Sequence, residues 1–399
     1  MVGINAAPVP GAALDATIDV REGSSSARVY LSPPEVTERE IELVTAALRS
    51  GWVAPVGPDL AAFEQGICDF AGVAHAVALS SGTAALHLGL KALGVRPGDE
   101  VVVPTLTFGA TAFAVVHAGA TPVFLDSEEV TGNLDPLLLA DFLAERAARN
   151  ALPAAIITVD LFGRMCDYAT IEQIAADYEI PILEDSAEAL GSTQGDRAAG
   201  SFGRAAVFSF NGNKIMTTSG GGMLVTDDST IAEKVRFWST QSREDFPWYE
   251  HNEVGFNYRM SNILAALGRA QLERLPGIIE RRRWINEQYR ELMADLPSVE
   301  VWGDDPWGRS NMWLTTVRFR GPEGQELALR VREALETRRI ESRPVWKPMH
   351  LQPVFATHEA RTTGASNRIF ADGLCLPSGQ NLTDGQVGSV AATIHGTVG

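Results

Sequence analysis

Short apolar segments alternate with helical patterns along most of the chain, and this alternation limits the fold more than any other feature of the sequence. The segments at 75–79, 101–104 and 155–159 are almost entirely apolar, which is typical of strands buried on both faces of a sheet. Helices of the intervening length cover such a sheet on both sides, and its strands then run mainly parallel. The sequence therefore predicts an α/β fold.

Polar and aromatic residues follow several predicted strands at the points where those strands end. Residues 81–83 (Ser-Gly-Thr) follow one strand, Asp185 follows another, and Phe108 opens the helix after a third. Ligands of open α/β sheets bind beyond the carboxyl ends of the strands. We therefore expect these residues to share one edge of the sheet with Lys214, which follows a later strand.

The chain of 399 residues is long enough for two domains. The alternation loosens after the predicted helix 230–239. A loop at 244–257 leads to two predicted helices, 261–275 and 278–295, and then to a region with few strands and one clear helix, 326–338. The predicted units are an N-terminal tail at 1–27, a large domain at 28–262 and a smaller C-terminal α+β domain at 263–399.

The net charge of −17 argues against a nucleic-acid partner, because contacts to phosphate groups need clustered basic side chains. The run Arg281-Arg282-Arg283 lies in an amphipathic helical pattern, so we expect it to form a solvated helix face. The three cysteines lack the spacing of metal ligands, so we expect reduced thiols, no metal and a cytoplasmic protein. They are Cys68, Cys166 and Cys375.

Neither the first residues nor the most apolar window of the sequence predicts a membrane protein. The first residues lack the basic and apolar regions of a signal peptide. The window 108–125 is interrupted by His117, Gly119 and Pro122. We expect it to form a core helix followed by a strand, and no membrane span.

One stretch, 208–223, puts a lysine in an unusual place. The predicted strand 205–210 runs into the turn Asn211-Gly212-Asn213, Lys214 follows, and three glycines precede the next apolar run. Lysine is rarely buried without a partner, and burial makes its amine more nucleophilic. The stretch fits a Schiff-base lysine, but by itself it favours the more common alternative, a surface turn with Lys214 in water.

Four features together indicate one kind of site, although each also has an ordinary structural explanation. Residues 81–83 offer free N–H groups at a helix start, which suit a phosphate, or they form an N-cap. Asp185 suits a protonated ring nitrogen, or it caps a turn. Phe108 suits stacking on a ring, or it packs in the core. With Ser209 and Lys214, the set predicts a pyridoxal phosphate (PLP) site.

Six stretches carry a resemblance that covers nearly the whole chain from about residue 29. The sequence resembles the DegT/DnrJ/EryC1/StrS family of sugar aminotransferases, a branch of the fold-type I PLP enzymes. Around Lys214 it is most similar to the bacillosamine-type branch, which aminates UDP-linked 4-keto-6-deoxy sugars. The stretches are Ser-Gly-Thr-Ala-Ala-Leu-His (81–87), Pro-Thr-Leu-Thr-Phe (104–108), Glu-Asp-Ser-Ala-Glu-Ala-Leu-Gly-Ser (184–192), Ser-Phe-Asn-Gly-Asn-Lys (209–214), Gly-Phe-Asn-Tyr-Arg-Met (255–260) and Arg-Pro-Val-Trp-Lys-Pro-Met-His (343–350).

The resemblance implies the fold of that class. The large domain would contain a mainly parallel seven-stranded sheet with helices on both faces, and the smaller domain would follow it. Two subunits would form a homodimer with shared active sites. Asn257 would contact the cofactor phosphate of the neighbouring subunit.

The resemblance also implies roles for the residues of the predicted site. Lys214 would hold the cofactor as a Schiff base and carry protons, and Asp185 would keep the ring nitrogen protonated. Glu188 would face the phenolic oxygen of the ring and share a proton with it, or it turns to solvent. The expected contacts to the ring and the phosphate are Ser81, Gly82, Thr83, Phe108 and Ser209.

For the substrate, the resemblance points to the segment around Trp346, Lys347 and His350, which would lie near a nucleotide sugar or pack a domain junction. Many relatives carry a histidine where this chain has Asp160, so no role is extended to that residue. Further candidates are Arg259 and Arg343 for the carboxylate of the amino donor, and Trp52 as a substrate contact.

The leading hypothesis is transamination of a nucleotide-linked 4-keto-6-deoxy sugar, with L-glutamate as donor and PLP alternating with pyridoxamine phosphate (PMP). Lys214 favours transamination, because the dehydratase branch of the family has histidine there. The alternatives are amination of a ketone without a nucleotide, such as a cyclitol, an aromatisation in an antibiotic pathway, and a non-catalytic regulatory protein. The intact set of Lys214, Asp185 and Ser209 argues against the last.

Overall fold

The fold is taken from a computed structural model, which describes residues 27–399. The predicted tail, 1–27, therefore lies outside the described residues except for its last position. The helices are α1 (Glu38–Ser50), α2 (Pro58–Ala71), α3 (Gly82–Ala92), α4 (Gly109–His117), α5 (Pro136–Ala147), α6 (Tyr168–Asp177), α7 (Ser229–Ser239), α8 (Asn262–Leu292), α9 (Gly324–Thr337), α10 (Ala365–Asp372) and α11 (Asp384–Val398).

The strands are β1 (His75–Leu79), β2 (Glu100–Pro104), β3 (Thr121–Leu125), β4 (Ala155–Val159), β5 (Ile182–Asp185), β6 (Thr193–Gln194), β7 (Arg197–Ala198), β8 (Ala205–Ser209), β9 (Gly222–Thr226), β10 (Val299–Val301), β11 (Thr315–Phe319), β12 (Arg343–Pro344), β13 (Ala360–Arg361) and β14 (Gly373–Leu376). The almost entirely apolar segments of the sequence are all strands, as predicted.

The main sheet has the strand order β1-β9-β8-β5-β4-β2-β3-β13. Its central strands pair in parallel, and β9 is antiparallel to both β8 and β1, so β1 runs in the direction of the parallel set. The prediction of a mainly parallel sheet is confirmed. Seven strands come from residues 75–226, and the C-terminal part of the chain adds the two-residue edge strand β13.

Helices bury both faces of this sheet. Val101 and Val103 of β2 belong to an apolar cluster with residues of α3, α4 and α7. Val102, between them, belongs to a second cluster with residues of α5 and α6. Successive side chains of a strand point to opposite faces, so the continuous apolar run is what a sheet covered on both sides requires.

The smaller sheet has the order β10-β11-β14-β12 and is antiparallel throughout. Residues of α8, α9 and α11 pack on it in a cluster that includes Ile285, Val331 and Ile394. The predicted domain boundary at residue 263 coincides with the start of α8. That division into domains stays a prediction.

The two helices predicted at 261–275 and 278–295 are wrong as separate elements, because α8 runs without a break from Asn262 to Leu292 with Pro276 inside it. A proline normally breaks or kinks a helix interior. Here Leu275, Ile278 and Ile279 on either side of the proline are buried in one core cluster. Their packing holds the two halves in one helix.

The expectation of a solvated face at 281–283 is wrong for its middle residue. Arg282 is fully buried, and its guanidinium donates to Trp313 O at 2.6 Å, Gln380 Oε1 at 2.9 Å and Ser32 Oγ at 3.1 Å. Arg281 and Arg283 pair with Asp384 and Asp304 instead. Arg282 therefore links α8 to the segments that contain Ser32 and Trp313.

The apolar window 108–125 forms α4 and β3, as predicted. Within residues 27–399, no helix combines the length and the apolar character that a membrane span requires. The three cysteines are free and buried.

Candidate active site

A cavity of about 920 Å³ opens at the carboxyl ends of β1, β5 and β8. Its lining includes Ser81 after β1, Asp185 at the end of β5, Ser209 at the end of β8 and Lys214 on the following turn. Trp346, from the segment after β12, also lines the cavity. The parallel sheet thus brings together residues that are far apart in the sequence.

Lys214 is held in a tight turn after β8, where its N–H donates to Asn211 O at 3.0 Å. Its side chain is 11% exposed, its Nζ donates to Glu188 Oε1 at 2.8 Å, and the ammonium lies 4.2 Å from the centre of the Trp313 ring. The interpretation of Lys214 as a surface lysine is therefore wrong. A largely buried ammonium with one carboxylate partner, at the wall of a cavity, is a candidate catalytic group.

Glu188 is fixed at both carboxylate oxygens. Oε1 accepts from Lys214, and Oε2 accepts from the Phe162 N–H at 2.8 Å. Phe162 has a φ of 56°, which is unusual for a bulky residue and aims its N–H at Glu188. Burial raises the pKa of Glu188, and the neighbouring Lys214 opposes that rise.

Asp185 lies at the end of β5 and is buried. Its Oδ2 accepts from Thr111 Oγ1 at 2.7 Å, and Thr111 Oγ1 lies 2.7 Å from Thr107 Oγ1. Burial raises the pKa of Asp185, whereas the hydrogen bond from Thr111 and the charge of Lys214 favour the carboxylate. The aspartate is thus oriented by α4 and faces the same cavity as Lys214.

The start of α3 forms the third side of the cavity. Ser81 caps the helix, because its Oγ accepts from Ala84 N at 3.0 Å. A Cβ added to Gly82 would lie only 3.1 Å from the Ser209 Cβ, so glycine lets the helix start approach the end of β8. Among residues 27–399, no hydrogen-bond acceptor is present for the N–H groups of Gly82 and Thr83. These amides and the helix dipole suit a phosphate group.

Aromatic rings line the cavity on the side of Phe108, which is 58% exposed although it starts a helix of the core. Its ring centre lies 5.4 Å from that of Trp346, and the Trp346 ring lies 5.0 Å from that of Phe162. An exposed phenylalanine at a cavity wall is available to stack on a planar ligand.

Of the candidate substrate contacts, Arg343, Trp346 and Lys347 line the cavity. Arg343 is paired with Glu341, which also lines it, at 2.7 Å. His350 lies outside the lining, and its Nδ1 is 2.7 Å from Thr105 Oγ1.

Three predicted site residues lie away from the cavity of their own chain. Arg259 is held by Glu64 and by Ala78 O. Trp52 is about half exposed on the loop between α1 and α2. Asn257 is exposed and forms a β-bridge with Thr240. The predicted roles of these three residues stay predictions.

Several cavity residues are not apparent from the sequence. Tyr30 and Ser32 belong to a segment that crosses the cavity, and Thr111, Trp313 and Glu341 line other walls. Ser32 Oγ and Trp313 Nε1 both donate to Asn213 O, at 2.9 and 2.8 Å, and so brace the turn that carries Lys214. The nearest local signal is the Pro33-Pro34 pair, which favours an extended segment.

The cavity residues fit pyridoxal phosphate. The close approach of Gly82 to Ser209 and the free amides at the start of α3 make a cradle for the phosphate. Asp185 supplies an anion for the ring nitrogen, and Lys214 supplies an amine at the cavity wall. Phe108 offers an exposed ring for stacking.

Comparisons with known proteins agree with this reading of the site. The model of the DegT/DnrJ/EryC1/StrS aminotransferase family matches residues 34–395. EpsN of Bacillus subtilis, which carries the name of a pyridoxal phosphate-dependent aminotransferase, is 42% identical over 369 residues, covering 91% of this chain and 94% of EpsN.

Two further proteins are similar over most of their length. The GDP-perosamine synthase of Caulobacter vibrioides is 37% identical over 376 residues, covering 92% of this chain and 97% of the synthase. The structure of DesI in the presence of its TDP-sugar product has a TM-score of 0.83 at 32% identity and covers 92% of both chains. The chain therefore belongs to the DegT/DnrJ/EryC1/StrS aminotransferase family and is a pyridoxal phosphate-dependent aminotransferase.

Proposed function

We propose that the protein transfers the amino group of L-glutamate to the keto carbon of a nucleotide-linked 4-keto-6-deoxy sugar. The observation that carries this proposal is that Lys214 and Asp185 line one cavity of about 920 Å³ together with Trp346 and Lys347. Pockets of this size hold ligands larger than the cofactor alone. An aromatic ring and a cation in the lining suit a base and a diphosphate.

Pyridoxal phosphate, when bound, supplies an electron sink for the carbon that exchanges its proton. Asp185, oriented by Thr111, keeps the ring nitrogen protonated. The amides of Gly82 and Thr83, with Ser209, bind the phosphate and fix the cofactor. Lys214 Nζ binds the cofactor between turnovers and moves the proton at the reacting carbon.

The names of the relatives support a sugar substrate. One relative is a GDP-perosamine synthase, and DesI has been solved with its TDP-sugar product. Both names pair a sugar with a nucleoside diphosphate, so the cavity cations Arg343 and Lys347 would meet the diphosphate or the donor carboxylate. The active unit would be a homodimer in which Asn257, exposed in its own chain, reaches the phosphate of the partner's cofactor.

The test is a screen of the holoenzyme with L-glutamate and several amino acceptors, read by mass spectrometry of the products. The acceptors are 4-keto-6-deoxy sugars linked to UDP, GDP or TDP, and a cyclitol ketone. We expect an amino sugar from at least one nucleotide-linked acceptor and none from the cyclitol. Amination of the cyclitol alone would contradict the proposal, and so would a cofactor absorbance that glutamate leaves unchanged.

A further inference from the structure

A buried hydrogen-bond network lies directly behind the turn 185–188, which carries two of the cavity carboxylates. It joins Asp160, at the end of β4, to Glu184 on β5 and to Ser186 after it, and all three side chains are fully buried. Ser186 Oγ lies 2.8 Å from Asp160 Oδ2 and also contacts Glu184 Oε1. One hydroxyl group therefore bridges two carboxyl groups.

The hydrogen atoms in this bridge can be counted. Two contacts between three oxygen atoms need two protons, and the hydroxyl of Ser186 supplies one of them. The other proton must come from a carboxyl group. Two carboxylates that share a buried site cannot both ionise cheaply, so the Asp160–Glu184 pair keeps one proton.

The partners of Glu184 favour its ionised form. Its Oε1 accepts from Gly200 N at 2.6 Å, and its Oε2 accepts from Phe202 N at 2.9 Å and Gly203 N at 3.4 Å. Backbone amides that donate to a carboxylate stabilise its charge. The proton of the pair therefore belongs on Asp160.

The partners of Asp160 leave one oxygen free to carry that proton. Oδ1 accepts from Tyr168 Oη at 2.9 Å and Cys166 N at 3.1 Å, so Oδ2, which lies 2.8 Å from Ser186 Oγ, is the oxygen that can carry the proton. Burial raises the pKa of Asp160 well above its usual range, and the charge of Glu184 raises it further. The other titratable groups that face Asp160, Cys166 and Tyr168, have pKa values raised by burial and are neutral.

We propose that Asp160 is a protonated positioning residue, whose carboxylic acid donates to Ser186 and so holds the turn that carries Asp185 and Glu188. The main chains of the two elements are also joined, because Asp160 N donates to Asp185 O at 3.1 Å. A neutral acid fastens the turn without adding a further negative charge behind Glu184, Asp185 and Glu188. The inference rests on the proposed contacts of Asp185 and Glu188 with the cofactor.

The test compares Asp160→Asn with Asp160→Ala. Asparagine reproduces a protonated aspartate, because Nδ2 donates to Ser186 while Oδ1 still accepts from Tyr168. We expect the infrared spectrum of the cofactor-free wild type at neutral pH to contain a carboxylic-acid band that D160N lacks. The band should shift when aspartate, but not glutamate, carries an isotopically heavy carboxyl carbon.

The positioning role has a second readout, the pH titration of the cofactor absorbance without any amino acceptor. D160A should move its midpoint by roughly one pH unit, since Asp185 and Glu188 lose their support, and D160N should retain the wild-type midpoint. A wild type without an aspartic-acid band overturns the proposal, as does a D160A titration that coincides with the wild type. Neither readout needs a sugar substrate, so both can fail or succeed independently of the proposed reaction.

Discussion

The Lys214 ammonium donates to the Glu188 carboxylate across 2.8 Å at the wall of the cavity, with both side chains largely buried. The second oxygen of Glu188 is held by the N–H of Phe162, so the carboxylate is fixed and does not follow the lysine. A fixed negative charge beside the lysine nitrogen stabilises positive charge on it. When the cofactor is bound there, Glu188 should therefore influence the protonation state that gives the cofactor its colour.

The first prediction concerns Glu188→Gln. The amide keeps the shape of the side chain but removes the negative charge, so positive charge at the lysine nitrogen loses its support. We expect the midpoint of the cofactor absorbance titration to move to lower pH by roughly one unit, with cofactor binding retained. Burial raises the pKa of Glu188, so the difference between the two proteins should be largest at neutral and higher pH and should shrink as Glu188 becomes protonated at lower pH.

Glu341→Gln is the matched control, because Glu341 also lines the cavity but pairs with Arg343 instead of Lys214. Its titration should superimpose on that of the wild type. If the Glu188→Gln curve also superimposes, Glu188 has no effect on the electronics of the cofactor.

A second prediction concerns Asn257, which is exposed and lies outside the cavity of its own chain. If it serves the partner's cofactor phosphate, Asn257→Ala should weaken cofactor retention and leave folding intact. In a heterodimer of this variant with a Lys214→Ala chain, one site would carry both defects and the other would be intact. About half of the wild-type activity per heterodimer should then return at limiting cofactor, because one of two sites is whole.

The measurement is activity at limiting cofactor after the two variants are mixed and heterodimers are isolated. Activity no higher than that of the parent variants would place Asn257 in its own chain's site, since each site would then carry one defect.

A third prediction concerns the buried Arg282. Arg282→Met leaves three acceptors without their donors, Trp313 O, Gln380 Oε1 and Ser32 Oγ. We expect a loss of about 2–4 kcal/mol in the free energy of unfolding, measured with urea on the cofactor-free protein. The neighbouring Arg281→Met should cost less than about 1 kcal/mol. Equal losses for the two variants would show that the buried hydrogen bonds of Arg282 contribute no more to the free energy of unfolding than the contacts of Arg281.

The cofactor end of the cavity is predictable from the sequence because its residues follow strand ends. Ser81, Asp185 and Ser209 each lie within a few residues of an apolar strand, and a parallel sheet brings such positions to one edge. Lys214 joins them through a short turn. Local sequence patterns and the rule that ligands bind at the carboxyl ends of parallel strands are therefore enough to predict these residues.

The other walls depend on packing between distant segments, which no local pattern records. Tyr30, Trp313 and Glu341 reach the cavity from both ends of the chain. The burial of Arg282 likewise depends on Trp313 and Gln380, which cover a helix face that its own sequence marks as polar. Periodicity describes one element, whereas burial also depends on what packs against it.

Helix α11 was not predicted from the sequence, and the reason is a different one. Its segment contains Gly385, Gly388 and Gly396, and glycine has low helix propensity. Packing of Val387, Val390 and Ile394 against the small sheet outweighs that cost. The capping box of Thr383 and Gln386 was the available signal for the start of this helix.

We propose that Lys214 is the residue that holds pyridoxal phosphate and carries out the proton transfers. Lys214→Ala should lower turnover by several orders of magnitude, because a covalent catalytic group is lost. The chain has only four lysines, Lys91, Lys214, Lys234 and Lys347, and of these Lys214 and Lys347 line the cavity. Lys347→Ala is therefore the matched control, in which the cofactor should stay attached to the protein.

The most direct measurement is borohydride reduction of the holoenzyme, followed by proteolysis and mass spectrometry of the lysine-containing peptides. If Lys214 holds the cofactor, we expect a pyridoxyl phosphate group on the Lys214 peptide of the wild type and of Lys347→Ala, and none on any lysine of Lys214→Ala. A label on the Lys347 peptide, or a wild type without any labelled peptide, would contradict this assignment.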